Sequence, residues 1–223
     1  MGEMTTFASG DATARGYLAC PAPDRARGRG VVVIQEWWGL VDHIKRVADR
    51  FATEGFHALA PDLYHGTTAG SPDDAERLLM ALNIAQAETD LKGAIERLRF
   101  VTGRPVATVG FCMGGALSLY AACTNPKDVA ACVVYYGGHP KVEFDFDRLK
   151  APVLAHWAED DHVVNPNVPR LEAELQRRDK VWESHIYPGT RHAFFNDDRP
   201  EAYDRDAAVR SWERTIDFLT RQL

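Results

Sequence analysis

Apolar and polar positions along this chain follow two rhythms, and the switch between them recurs almost from end to end. Residues 30–35 (GVVVIQ) form an unbroken apolar run, the pattern of a strand covered on both faces. Residues 41–54 then place Val41, Ile44, Val47, Ala48 and Phe51 three and four positions apart, the spacing of an amphipathic helix. Gly55 supplies its stop. The same alternation predicts strands over 57–60, 106–110, 130–136, 153–157 and 182–187. Helices are predicted over 73–83, 87–100, 113–123, 169–178 and 201–223, with a hairpin at a sheet edge from Met4 to Leu18. Only 66–74, where Gly, Thr, Ser and Pro gather, reads as a long loop. Strands and helices alternating in this way build a mostly parallel, doubly wound α/β sheet with helices on both faces. With no repeat or linker in 223 residues, one domain over 1–223 is expected.

Charge and cysteine usage narrow the function. The net charge is −6 and no cluster of Lys and Arg offers a basic patch, so nucleic acid is not an expected partner. No apolar run approaches bilayer length. The opening residues lack the basic segment and apolar core of a secretory signal, so the expectation is a cytoplasmic protein without a membrane partner. Cys20, Cys112, Cys123 and Cys132 show neither a C-x-x-C pair nor histidines at zinc spacing. Reduced thiols, no metal and no cofactor are expected, in a monomer or weak homodimer acting on a small molecule.

The most informative segment is residues 106–119. A predicted buried strand runs into Gly110-Phe111-Cys112-Met113-Gly114 and then directly into a helix. That is the G-x-S-x-G nucleophile elbow with cysteine in place of serine. A sharp turn strains its central residue, and flanking glycines let neighbouring backbone pass close by. The thiol is lifted to a helix N-terminus, where free N–H groups favour negative charge and the Met113 amide is an oxyanion donor. A lone G-x-C-x-G is more often a packed core cysteine. Partners downstream in the right order change that balance.

An elbow nucleophile takes its acid and then its base from loops after later strands. Ala158-Glu159-Asp160-Asp161-His162 follows one predicted strand. Asp161 sits where such loops present a carboxylate, with Asp160 as rival and Glu159 as a weaker one. Tyr187-Pro188-Gly189-Thr190-Arg191-His192 follows the next strand, and His192 precedes two aromatics that shield it from water. The order Cys112, Asp161, His192 is that of a nucleophile, an orienting acid and a base. His65 and His162 are further histidines near the site.

These motifs, with Gln35-Glu36-Trp37-Trp38-Gly39, Ala60-Pro61-Asp62-Leu63-Tyr64 and Tyr135-Tyr136-Gly137, resemble the dienelactone hydrolase (carboxymethylenebutenolidase-like) family over essentially the whole chain. The resemblance implies an α/β-hydrolase fold and the triad Cys112, Asp161 and His192. It implies a second oxyanion N–H near Trp37, and Glu36 beside the thiol, taking its proton when substrate binds. It also implies substrate contacts from Trp38, Tyr64, Arg77, Tyr136, Phe194 and Asn196. Members that cleave dienelactones hold the substrate carboxylate with arginines, one of them four residues after the histidine. Here that position is Asn196, and Arg77 alone is available for the other. The expected activity is therefore hydrolysis of a small ester or lactone through a thioester, with a less polar substrate than dienelactone favoured. A promiscuous esterase or phosphotriesterase using the same cysteine is the alternative. A thiol redox or ligand-binding protein on the same fold is the alternative of another class.

Overall fold

The computed structural model describes residues 1–223. Eight strands form one sheet: β1 (Glu3–Ser9), β2 (Ala12–Ala19), β3 (Arg29–Ile34), β4 (Phe56–Pro61), β5 (Val106–Phe111), β6 (Val129–Tyr135), β7 (Val153–Asp160) and β8 (Trp182–Arg191). Their order across the sheet is β1-β2-β4-β3-β5-β6-β7-β8. The β1–β2 hairpin lies antiparallel at one edge, and from β4 to β8 every pairing is parallel. Six helices connect them: α1 (Asp42–Thr53), α2 (Pro72–Ala81), α3 (Ile84–Thr102), α4 (Met113–Thr124), α5 (Val168–Arg177) and α6 (Arg205–Gln222).

The unbroken apolar strands follow from covering both faces. In β3, Val32 and Ile34 join a core under α3, α4 and α5, while Val31 and Val33 join a second core under α1 and α6. Successive side chains of a strand point to opposite faces, so a sheet between two helical layers needs apolar residues at every position. Between the layers the loops after β3, β4, β5, β6, β7 and β8 share one rim, at the carboxyl ends of the parallel strands. Ligands of open α/β sheets bind beyond that rim.

Two predicted helix starts move because of caps. Helix α2 begins inside the segment read as loop, because the Ser71 hydroxyl accepts from the Asp74 amide and Pro72 fits the first helical position. Helix α6 begins at Arg205 rather than 201, because the Asp204 carboxylate accepts from the Ala207 amide at 2.8 Å. Strand β8 continues past Tyr187 to Arg191, with a shift in register against β7.

Helix α3 lies so close to the hairpin that Gly93 faces the Ala8 carbonyl, and a Cβ there would overlap its oxygen. Alanine is favoured over glycine in a helix by about 1 kcal/mol, whereas overpacking costs about 1–3 kcal/mol. Gly93→Ala is expected to destabilise despite its better propensity. At roughly 2–4 °C per kcal/mol for a chain of this size, thermal melts will show a lower Tm, and an unchanged or higher Tm would contradict the close approach.

Candidate active site

Cys112 sits at the junction of β5 and α4 with φ 53° and ψ −122°, a left-handed conformation rare for a side chain of its size. Its own amide donates to the Tyr135 carbonyl at 3.0 Å, and its carbonyl accepts from the amides of Gly115 and Gly138. The neighbouring glycines explain how so sharp a turn fits. A Cβ on Gly110 would overlap the Gly114 carbonyl, and a Cβ on Gly114 would overlap the Ile34 and Gln35 carbonyls. The first turn of α4 is thereby pressed against the end of β3. The thiol is half-buried, while Cys123 and Cys132 are fully enclosed and burial pushes their thiols up, to about 12 and about 11.

His192, also half-buried, stands at the end of β8. Its Nδ1 lies 2.6 Å from Asp161 Oδ2, and the ring is hydrogen-bonded to the Cys112 thiol as well. With Nδ1 taken, Nε2 is the nitrogen left for the sulfur. Asp161 is almost completely buried, and its other oxygen accepts from the amides of Val163 (3.2 Å) and Val164 (3.0 Å). Burial opposes the carboxylate, but His192 and those two amides outweigh it and hold Asp161 below its ordinary pKa. Burial likewise opposes an imidazolium at His192. The Cys112 charge and the Asp161 contact outweigh it and push His192 up to about 11. Asp160 is exposed and faces His162 and Arg191. Between the two candidate acids, it is Asp161 that meets His192.

Glu36, in the loop after β3, is only 1% exposed. Its carboxylate accepts from the Tyr136 hydroxyl at 3.3 Å and from the Asn196 amide at 2.5 Å. The Asn196 oxygen accepts from the Asp198 amide, which fixes the orientation of the side-chain amide. Burial, then the Glu36 and Cys112 charges, hold the Tyr136 phenol well above its usual range, so it remains a donor. Tyr136 also lies against the His192 ring at 5.1 Å. The hydrogen-bond partners of Glu36 are thus Tyr136 and Asn196, and the thiol is engaged by His192.

Two backbone amides face no acceptor. Met113 is the first residue of α4 and lacks an intrahelical partner, and the Trp37 amide makes no backbone hydrogen bond. Trp37 and Trp38 meet edge to face at 5.3 Å, and the Arg199 guanidinium stacks 3.9 Å over Trp38. Tyr64 reaches Met113 Sδ with its hydroxyl at 3.3 Å, and burial and then the Cys112 charge raise its pKa.

Three residues expected at the substrate lie elsewhere or have other partners. Arg77 is exposed on α2 and spends its guanidinium on Asp74, one turn away. Phe194 is fully buried against Tyr136 and Tyr187, so it supports the site from the core. Asn196 is buried and tied to Glu36. His65 faces Asp90 and His162 faces Asp160, neither of them the thiol. The bracing roles of Asn196 and Arg199 went unread because their partners lie about 160 positions away along the chain.

Comparison with known proteins agrees with this geometry. The profile of the Dienelactone hydrolase family matches residues 14–223. The chain is 35% identical to the protein usf of Aquifex pyrophilus, with both chains covered in full. It is 27% identical to a carboxymethylenebutenolidase of Rhodococcus opacus, over 90% of this chain and 84% of that protein. Among solved structures, a dienelactone hydrolase-like promiscuous phosphotriesterase from metagenomic libraries superposes with a TM-score of 0.86 at 26% identity. That match covers 100% of this chain and 98% of the other. With a family match over nearly all its length and an α/β-hydrolase fold, the chain belongs to the dienelactone hydrolase family of hydrolases.

Proposed function

We propose that the protein hydrolyses a small ester or lactone through Cys112, with His192 as acid and base and Asp161 as the group that orients it. The carrying observation is the continuous contact from thiol to imidazole to a buried carboxylate, at the rim where the strained turn presents the sulfur. The sulfur attacks the carbonyl carbon, and the carbonyl π pair moves onto oxygen between the free amides of Met113 and Trp37. Oriented N–H groups at such a position supply a large share of acyl-transfer catalysis. Collapse re-forms the C=O, expels the alkoxide and leaves a thioester.

The support of the imidazolium changes as this happens. Burial alone disfavours it, and the Cys112 charge is the largest of the effects that offset burial. Once sulfur is acylated that charge is gone, so the proton passes readily from His192 to the leaving alkoxide. The neutral ring then takes a proton from water, hydroxide adds to the thioester, and thiolate departs with the acid product. Asp161 keeps Nδ1 protonated throughout, leaving Nε2 to face the reacting atoms. Glu36 supports this cycle as a buried anion beside Tyr136. Its two hydrogen-bond donors are neutral, so a substrate with no negative charge beside its ester is favoured.

A second reading has an observation of its own. The structural relative described as a promiscuous phosphotriesterase is 26% identical over the whole chain. The same sulfur attacking an activated phosphotriester would expel its phenoxide and leave a thiophosphoryl enzyme for water to cleave.

p-Nitrophenyl butyrate turnover followed by intact mass tests the assignment. The wild type is expected to carry an acyl adduct during turnover. Cys112→Ala will carry none and lose activity by at least about 10³-fold, and Asp161→Asn will lose on the order of 10²–10⁴-fold. Equal activity in wild type and Cys112→Ala would remove the thiol from the mechanism.

The His192–Asp161 pair also predicts a pH dependence of stability. His192 is raised in the folded state, so its contribution is complete below the unfolded value of about 6.5 and is lost as pH climbs towards the folded value. Asp161 is lowered, so its contribution is present above about 3.9 and is lost as pH falls through the folded value. Urea denaturation should show the largest stability gap between wild type and Asp161→Asn from about pH 4 to 6.5, narrowing on either side. A gap that does not vary with pH would mean the pair is not ionised as described.

A further inference from the structure

A groove of about 230 Å³ opens on the far side of Tyr64 from Met113. Leu78, Ala81 and Leu82, from α2 and its exit, form its apolar wall opposite Tyr64, and Asn83 and Gln86 form a polar end. Leu78 and Ala81 leave part of this wall open to solvent. Tyr64, Leu82 and Met113 belong to one continuous apolar cluster, against which both Leu78 and Cys112 pack. The groove is therefore continuous with the surroundings of the sulfur, and the Tyr64 ring is the partition between them.

Its size and polarity decide what fits. A cavity of about 150 Å³ holds a six-carbon ring, and drug-sized sites start near 300 Å³. The groove thus accepts one arm of a molecule rather than a whole ligand. At its far end both amides are already engaged: the Asn83 oxygen accepts from the Gln86 amide, and the Gln86 side chain donates to Asp90. Carbon pushed beyond that point would meet amides and solvent and gain no further burial. No Lys or Arg lines the groove, so nothing there would neutralise a carboxylate.

We propose that this groove is the acyl-chain subsite, and that the preferred substrates are esters with a straight, uncharged acyl chain of about six to eight carbons. The chain runs from the carbonyl carbon at Cys112 past Tyr64 and along Leu78, Ala81 and Leu82. This rests on Cys112 being the nucleophile, and the experiment separates the two claims.

The measurement is kcat/KM for p-nitrophenyl acetate, butyrate, hexanoate, octanoate and dodecanoate, in wild type, Ala81→Trp, Leu78→Ala and Cys112→Ala. In wild type kcat/KM is expected to rise by up to about fourfold per buried methylene and to level off by octanoate. Ala81→Trp fills the groove from an exposed position. It should leave acetate within about twofold of wild type and lower hexanoate by about tenfold or more, mostly through KM. Leu78→Ala enlarges the groove and should move the plateau to longer chains. A wild-type profile that is flat or falls after acetate overturns the subsite, as does a profile that neither variant changes. A loss in Ala81→Trp that is equal for every chain length, with Leu78→Ala unchanged, overturns it too. Failure of the nucleophile reading has a different signature: acetate hydrolysis that survives in Cys112→Ala.

Discussion

The site depends on how closely the first turn of α4 approaches the end of β3. Gly114 rests on the Ile34 and Gln35 carbonyls, and Gly110 on Gly114, with no room for a Cβ at either. That contact holds Cys112 at positive φ, a strain of order 1–3 kcal/mol that persists only where the surroundings over-determine it. It also sets the spacing between the Met113 amide and the loop that carries Trp37. One steric fact thus fixes the height of the sulfur and the separation of two N–H groups. Small residues here are a requirement of geometry before they are one of chemistry.

Around this turn lie two buried carboxylates with different surroundings. Asp161 faces a histidine and two amides, so its charge is matched by a group able to become positive. Glu36 has a phenol and a carboxamide, donors that stay neutral. Burying an ion without partners is costly, and hydrogen bonds to an ionised group are the stronger kind. The two donors to Glu36 are therefore part of what makes its position tolerable. They also join separate parts of the fold, since Tyr136 follows β6 and Asn196 follows β8. The same post-β8 loop is fastened to α1 by His43 and Arg46, which meet Asp197 and Asp198. The loop of the base and the loop of Trp37 are thus held as one body.

Much of this was legible in the sequence where local pattern and steric demand coincide. The buried strands announced themselves because helices cover both faces, and the elbow because its glycines and its position between strand and helix are local. Helix starts at Pro72 and Arg205 were misplaced because a single capping oxygen, on Ser71 or Asp204, decides them. The choice between Asp160 and Asp161 was open because both follow β7. It turns on which carboxylate the Val163 and Val164 amides can cap. Arg77 was read for its charge, but Asp74 one turn away already holds it. Asn196 was read as a gap in a binding pattern, and its bond to Glu36 depends on a partner no local window contains.

The order of the strands has a consequence for the protein as it is made. From β3 outward the sheet grows in the order of synthesis, through β5, β6 and β7 to β8 at the edge. A nascent chain therefore exposes its reactive sulfur long before it owns a histidine to govern it. At ribosomal speeds of about 5–20 residues per second, the roughly eighty residues between them take several seconds to emerge. Through that interval the thiol is only a thiol, open to whatever oxidant or electrophile the compartment holds. Hydrolysis begins when the last strand docks, so turnover reports a finished sheet.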